Sequence, residues 1–167
     1  MRDEKNQRDP IQFVPIGIIH TPFTDITGMP IQPTGARGIR GSVRIFQEYA
    51  EGLRDLEGFS HLFLIYTFHR CPSYQLTVTP FLDTTPRGVF ATRAPRRPNA
   101  IGLSTVRLIE VNGTTLVIED VDILDGTPLL DLKPYVPAFD SYPDASSGWL
   151  EQSSQRAGSF QSDERFR

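Results

Sequence analysis

A single cysteine in 167 residues excludes an intrachain disulfide framework and a cysteine-rich zinc site. Three histidines allow at most a small metal site, and no pair of them has ligand spacing, so no metal is expected. No apolar run approaches the ~18 residues that a membrane-spanning helix needs. The opening decapeptide, MRDEKNQRDP, is charged where a secretory leader would be apolar. A cytoplasmic protein with no membrane association is the resulting expectation. A large basic excess is missing too: the formal net charge is −3, which does not suit a protein that coats nucleic acid indiscriminately. There is no P-loop, no strand–GxGxxG–helix unit and no serine in a nucleophile elbow, so a Rossmann dinucleotide site and the common hydrolase sites are disfavoured.

What is present is globular in character: 38% hydrophobic and 22% charged residues, in a chain long enough for one domain with its own core. Thirteen glycines and fourteen prolines point to many turns and short strands. Residues 1–12 read as a polar arm, 13–140 as the domain and 141–167 as an extension whose last part, 151–167, is a mobile tail anchored at most by Trp149 and Leu150. Within the domain, strands are predicted over 13–19, 42–46, 60–68, 76–81, 88–92, 103–111, 114–124 and 129–136. Asn112-Gly113 marks a hairpin. Phe46, Tyr49, Ala50 and Leu53 fall at helical spacing and predict one amphipathic helix over 47–56. The fold class is therefore mainly β: a small, non-Rossmann barrel or sandwich with one helix and long loops, among them the turn-rich stretch 21–40.

Charge is unevenly placed. Between Asp83 and Glu110 there is no acidic residue, while Arg87, Arg93, Arg96, Arg97 and Arg107 fall inside that interval. Asp120, Asp122, Asp125 and Asp131 follow, which describes a site of two polarities. Pro95 and Pro98 stiffen the arginine loop, and guanidinium forks suit carboxylates and phosphates. The bland alternatives are a solvated basic loop and an Asx turn at Asp125. His69 ends the most apolar strand, where a histidine either moves protons or satisfies local backbone.

The runs 58–62 (GFSHL), 68–69 (FH), 92–99 (TRAPRRPN), 101–104 (IGLS), 125–128 (DGTP) and 131–135 (DLKPY) occur in the order of the TsaA-like (YaeB-like, TrmO) family, which the chain resembles over about residues 13–140. The family's usual proline after the asparagine of the arginine loop is Ala100 here. The resemblance implies a dimeric β-barrel that uses S-adenosyl-L-methionine without a Rossmann fold. It implies methyl transfer to N6 of threonylcarbamoyladenosine, next to the anticodon of threonine tRNAs. Carried onto this chain, it makes Arg93, then Arg70, the candidates for the cofactor's carboxylate, with Leu103 as an apolar wall. Asp122, Asp125 and Thr127 would supply acceptors, and Pro33, Thr34 and Gly35 would belong to a loop closing the pocket. His69, Asp122 and Asp125 remain equal candidates for the proton acceptor. Arg96 and Arg97 are candidates for the tRNA anticodon-loop phosphates, at least one of them facing outward. Two alternatives stay open: a non-catalytic RNA-binding barrel, and a methyltransferase of the same fold acting on a small molecule.

Overall fold

The computed structural model describes residues 9–151, 153 and 158–166, and residues 1–8 of the expected arm lie outside them. Six strands close a barrel in the order β1–β2–β7–β6–β3–β8, where β1 is Gly17–His20, β2 Arg40–Ile45, β3 His61–Thr67, β6 Ile101–Asn112, β7 Thr115–Glu119 and β8 Thr127–Pro134. Every barrel pairing is antiparallel. The two remaining strands, β4 (Thr77–Val78) and β5 (Arg87–Gly88), form a separate short ribbon. Closure removes the exposed edges that an open sheet of this size would carry.

Alternation builds the core. Leu62, Leu64 and Tyr66 of β3 point inward with Ser104, Val106 and Leu108 of β6, and they meet Ile19, Val43, Leu116, Ile118 and Leu129 from the other strands. The hairpin at Asn112-Gly113 is present. Its two loop residues are Gly113 and Thr114, because Asn112 pairs with Thr115. Only Gly113 has positive φ, 59°, the pattern of a type II′ turn.

Several expected elements differ. Strand β1 begins at Gly17, and Phe13 and Val14 are exposed ahead of it. The helix over 47–56 is instead a 3-10 segment, Gln47–Leu53, followed by a 3-10 turn, Leu56–Gly58. Asp55 between them is left-handed, φ 67°, so no α-helix can run through, and Leu53 and Leu56 plug the barrel end at i, i+3. Strand β7 stops at Glu119 because Asp120 turns left-handed, with its carboxylate accepting from the Gly38 amide at 2.8 Å. The stretch 88–92 is mostly a 3-10 turn, Val89–Ala91.

That turn buries Val89 in a second small core with Val78, Ala94 and Phe166. The described residues of the C-terminal stretch are thus docked, contrary to the expectation of a mobile tail; residues 152, 154–157 and 167 lie outside the described set. Trp149 Nε1 donates to the Ala91 carbonyl at 2.8 Å. The Ser162 hydroxyl donates to the Ile26 carbonyl and accepts from the Met29 amide. Arg165 donates to the Pro80 carbonyl at 2.9 Å. The extension therefore ties two long loops to the domain, the stretch 21–40 and the connection between β3 and β6. Among the described residues, no helix is long and apolar enough to cross a membrane, and no cluster of three or more His, Cys, Asp or Glu could hold a metal ion.

Candidate active site

A cleft of about 790 Å³ opens where the end of β3, the start of β6 and the segment after Val121 meet the two long loops. Its volume falls in the range of small-molecule sites. The far wall comes from Trp149, Leu150, Ser162 and Phe166 of the C-terminal extension.

At the barrel side, three polar side chains form one hydrogen-bonded line. The Ser104 hydroxyl donates to Asp122 Oδ1 at 2.7 Å, and Tyr66 Oη lies 3.1 Å from Ser104 Oγ. Serine has one proton to give, so Tyr66 is the donor to Ser104. Burial pushes the Asp122 carboxyl up to about 6, a rise that the Ser104 hydrogen bond and the nearby Arg93 charge only partly offset. Burial and the Asp122 charge both raise the Tyr66 phenol, keeping it a donor.

Arg93 is exposed at the rim and donates to Gln32 Oε1 at 2.9 Å, which links the arginine loop to the loop carrying Pro33 and Thr34. Arg70, Leu103 and the buried Thr127 also line the cleft. His69 lines it with Nδ1 3.4 Å from Thr127 Oγ1. The Thr127 hydroxyl gives its proton to the Leu124 carbonyl at 2.7 Å, so a hydrogen bond there requires the Nδ1–H tautomer of His69. Partial burial and the neighbouring Arg70 hold the His69 imidazole below its usual range, hence neutral at pH 7.

Nine sequence-predicted residues therefore share one cleft: Pro33, Thr34, His69, Arg70, Arg93, Arg97, Leu103, Asp122 and Thr127. Asp125, Gly35 and Arg96 are not part of its lining. Asp125 Oδ1 accepts from the Thr21 amide at 3.0 Å and sits 3.4 Å from His20 Nδ1, so its carboxylate is occupied in fastening the turn to the loop after β1. Both contacts use Oδ1 and reach back to the far end of the domain sequence, so this is a long-range tie and not the local Asx turn. Gly35 ends the 3-10 turn Pro33–Gly35.

Arg97 does not face outward. It donates to the carbonyls of Val89 and Thr92 at 3.0 and 2.9 Å and lies over the Phe90 ring. Arg96 is half-buried and interacts electrostatically with the Cys71 side. Arg97→Ala should thus destabilise the arginine loop by about 1.5–2 kcal/mol, the worth of charged hydrogen bonds to carbonyls at a half-buried site. Urea denaturation checks it, and an unchanged midpoint would remove this structural role.

Sequence reasoning missed Tyr66, Gln32 and the C-terminal wall, and quoted Ser104 without giving it a role. The available signal was alternation: Ser104 lies on the same inward face of β6 as Gly102, Val106 and Leu108.

The profile of the tRNA-methyltransferase O N-terminal domain matches residues 18–141. A probable S-adenosyl-L-methionine-binding protein of Pyrococcus abyssi is 53% identical over 93% of this chain and 85% of its own length. The tRNA (adenine(37)-N6)-methyltransferase of Escherichia coli is 37% identical over 84% of this chain, which spans 64% of that enzyme. A crystal structure of TrmO from Pseudomonas aeruginosa superposes with a TM-score of 0.72 at 38% identity, over 84% of this chain and 63% of that one. The six-stranded barrel, the two-polarity cleft and these matches agree: the chain belongs to the tRNA-methyltransferase O N-terminal domain family.

Proposed function

We propose that the protein is an S-adenosyl-L-methionine-dependent tRNA methyltransferase whose cleft binds the cofactor and presents its methyl group to N6 of threonylcarbamoyladenosine beside the anticodon of threonine tRNAs. The observation that carries this reading is the pairing, in one family-matched cleft, of the rim cation Arg93 with the Asp122 carboxylate across apolar walls. The Escherichia coli and mouse relatives are named tRNA (adenine(37)-N6)-methyltransferases, and the Pyrococcus abyssi relative is named for cofactor binding.

The donor set fits the cofactor. Arg93, with Arg70 beside the cleft mouth, suits the methionine carboxylate. Leu103, 55% exposed on the rim, offers an apolar face to an adenine ring. Pro33 and Thr34 supply a wall against which the loop can close. When bound, the cofactor supplies an electrophilic methyl group on a sulfonium sulfur. The protein's own work is to hold the acceptor nitrogen in line, exclude water and receive a proton. Of the loop arginines, Arg96 stays the candidate for an RNA phosphate, since Arg97 serves the loop's carbonyls. A homodimer belongs to this reading: a second copy would cover apolar side chains such as Phe90, 74% exposed. A small-molecule acceptor is favoured only by the modest net charge of −3.

Arg93→Ala should weaken S-adenosyl-L-methionine binding about tenfold to a hundredfold, the equivalent of one charged hydrogen bond. Calorimetry decides it, with Arg37→Ala, an exposed arginine outside the cleft lining, as the control. Wild-type affinity in a folded Arg93→Ala protein would move the carboxylate site elsewhere.

A further inference from the structure

We propose that Asp122 is the proton acceptor of the transfer step and that Ser104 and Tyr66 are positioning residues that aim it. This inference rests on the methyltransferase reading above.

The barrel's buried side chains are mostly aliphatic, and a hydroxyl pair leading to a carboxylate is costly to place there unless every member is satisfied. Here each is. In the register of β3 against β6, Tyr66 lies opposite Gly102 and Leu64 opposite Ser104. A Cβ at position 102 would fall within the Tyr66 ring, so only glycine lets the ring lie flat across β6 and bring its hydroxyl to Ser104. Ser104 is 3% and Tyr66 6% exposed, so both are locked by packing. Direction then follows from proton counting: Tyr66 donates to Ser104, and Ser104 donates to Asp122 Oδ1. With Oδ1 taken, Oδ2 is the oxygen available to a ligand in the cleft that Asp122 lines.

The rivals lack this support. Asp125 lies outside the cleft lining, with Oδ1 turned to the Thr21 amide and His20, and His69 is held by one long contact at 3.4 Å. The ionisable groups facing the Asp122 carboxyl are Tyr66 from β3 and Arg93 from the arginine loop, with His69 and Arg70 elsewhere in the same lining. In the step itself, the acceptor nitrogen forms a bond to the methyl carbon as the carbon–sulfur bond breaks. That bond's electron pair stays on sulfur, the N–H pair stays on nitrogen, and the proton passes to Asp122 Oδ2 and later to solvent. A carboxylate that ionises near neutrality is matched to this task.

The test pairs a titration with a rate profile. The Asp122 carboxyl is followed by NMR in carboxyl-labelled protein saturated with S-adenosyl-L-methionine, and kcat/KM for tRNA at saturating cofactor is measured against pH. In wild type, the ionisation midpoint and the rising limb of kcat/KM should coincide, a comparison that needs no variant. Ser104→Ala removes a hydrogen bond to the ionised form, so both should move upward together, with kcat at neutral pH about tenfold lower and KM for tRNA little changed. Tyr66→Phe should shift both the same way by less. Asp122→Asn should lower kcat at least about a hundredfold, a usual value for a lost acid–base group. A limb that ignores the Asp122 midpoint, one abolished by His69→Gln, or wild-type kcat in Asp122→Asn overturns the proposal while leaving the methyltransferase reading standing. Failure of wild type to methylate any tRNA overturns both.

Discussion

Replacing Asp122 with asparagine should make the protein more stable at pH 7, by about 2 kcal/mol, even as it removes the ionisable group. The folded-state carboxyl is raised to about 6 from an ordinary 3.8, chiefly by burial. The folded protein therefore holds this proton more tightly than the unfolded chain. Ionising it costs stability that begins to be lost as pH rises past the unfolded value near 4 and is fully lost above 6. Two units correspond to ~3 kcal/mol, which we reduce to about 2 because solvent reaches the cleft. Asparagine keeps an acceptor for Ser104 and carries no charge. Urea denaturation at pH 4 and pH 7 checks the sign. The variant should match wild type at pH 4 and exceed it at pH 7. Equal stability at both would mean that the carboxyl is not desolvated in the folded state. A charge retained at such a cost is what a working site shows, since stability and function trade against each other there.

Gly102→Ala should be among the most damaging small substitutions, destabilising by about 3 kcal/mol. The added methyl displaces the Tyr66 ring from a packed core, an overpacking cost of ~1–3 kcal/mol, and breaks the buried contact with Ser104, worth about 1 kcal/mol. The cause is specific, so a double-mutant cycle isolates it. In a Tyr66→Ala background the ring is gone and the same substitution should cost little. If Gly102→Ala is equally costly in both backgrounds, the strain lies in the β6 backbone and not in the ring.

Much of the barrel was legible because its signals are local. Asn112-Gly113 marks a tight turn wherever it lies between extended runs, and the alternation of β6 shows its inward face without any partner. Closure was legible only through the family resemblance: β1 meets β8 through Gly17 against Leu129, a pairing that no local signal specifies. The helix over 47–56 failed for a backbone reason, since apolar spacing cannot announce that Asp55 will turn left-handed. The docking of Phe166 beside Val89 and Ala94 likewise depends on tertiary contacts, which the polar composition of the extension masked. At the site, motif order singled out Arg93, Asp122 and Thr127, which line one cleft. Ser104 acquires its role from the register of β3 against β6, which places Tyr66 over Gly102. Asp125 and Arg97 show the converse. Their residue types suit ligands, but their partners are the Thr21 amide and the carbonyls of Val89 and Thr92, fixed by loop conformations that no spacing rule gives.

Methyl transfer from this cleft to a tRNA base leaves a label that can be read directly. The most direct test incubates the wild-type protein with methyl-labelled S-adenosyl-L-methionine and total tRNA, digests the RNA to nucleosides and identifies the labelled one. Label is expected on N6 of threonylcarbamoyladenosine, recovered from threonine tRNAs and entering at least about a hundredfold more slowly when Asp122→Asn replaces wild type. Confirmed cofactor binding with no label in any nucleoside would contradict this reading.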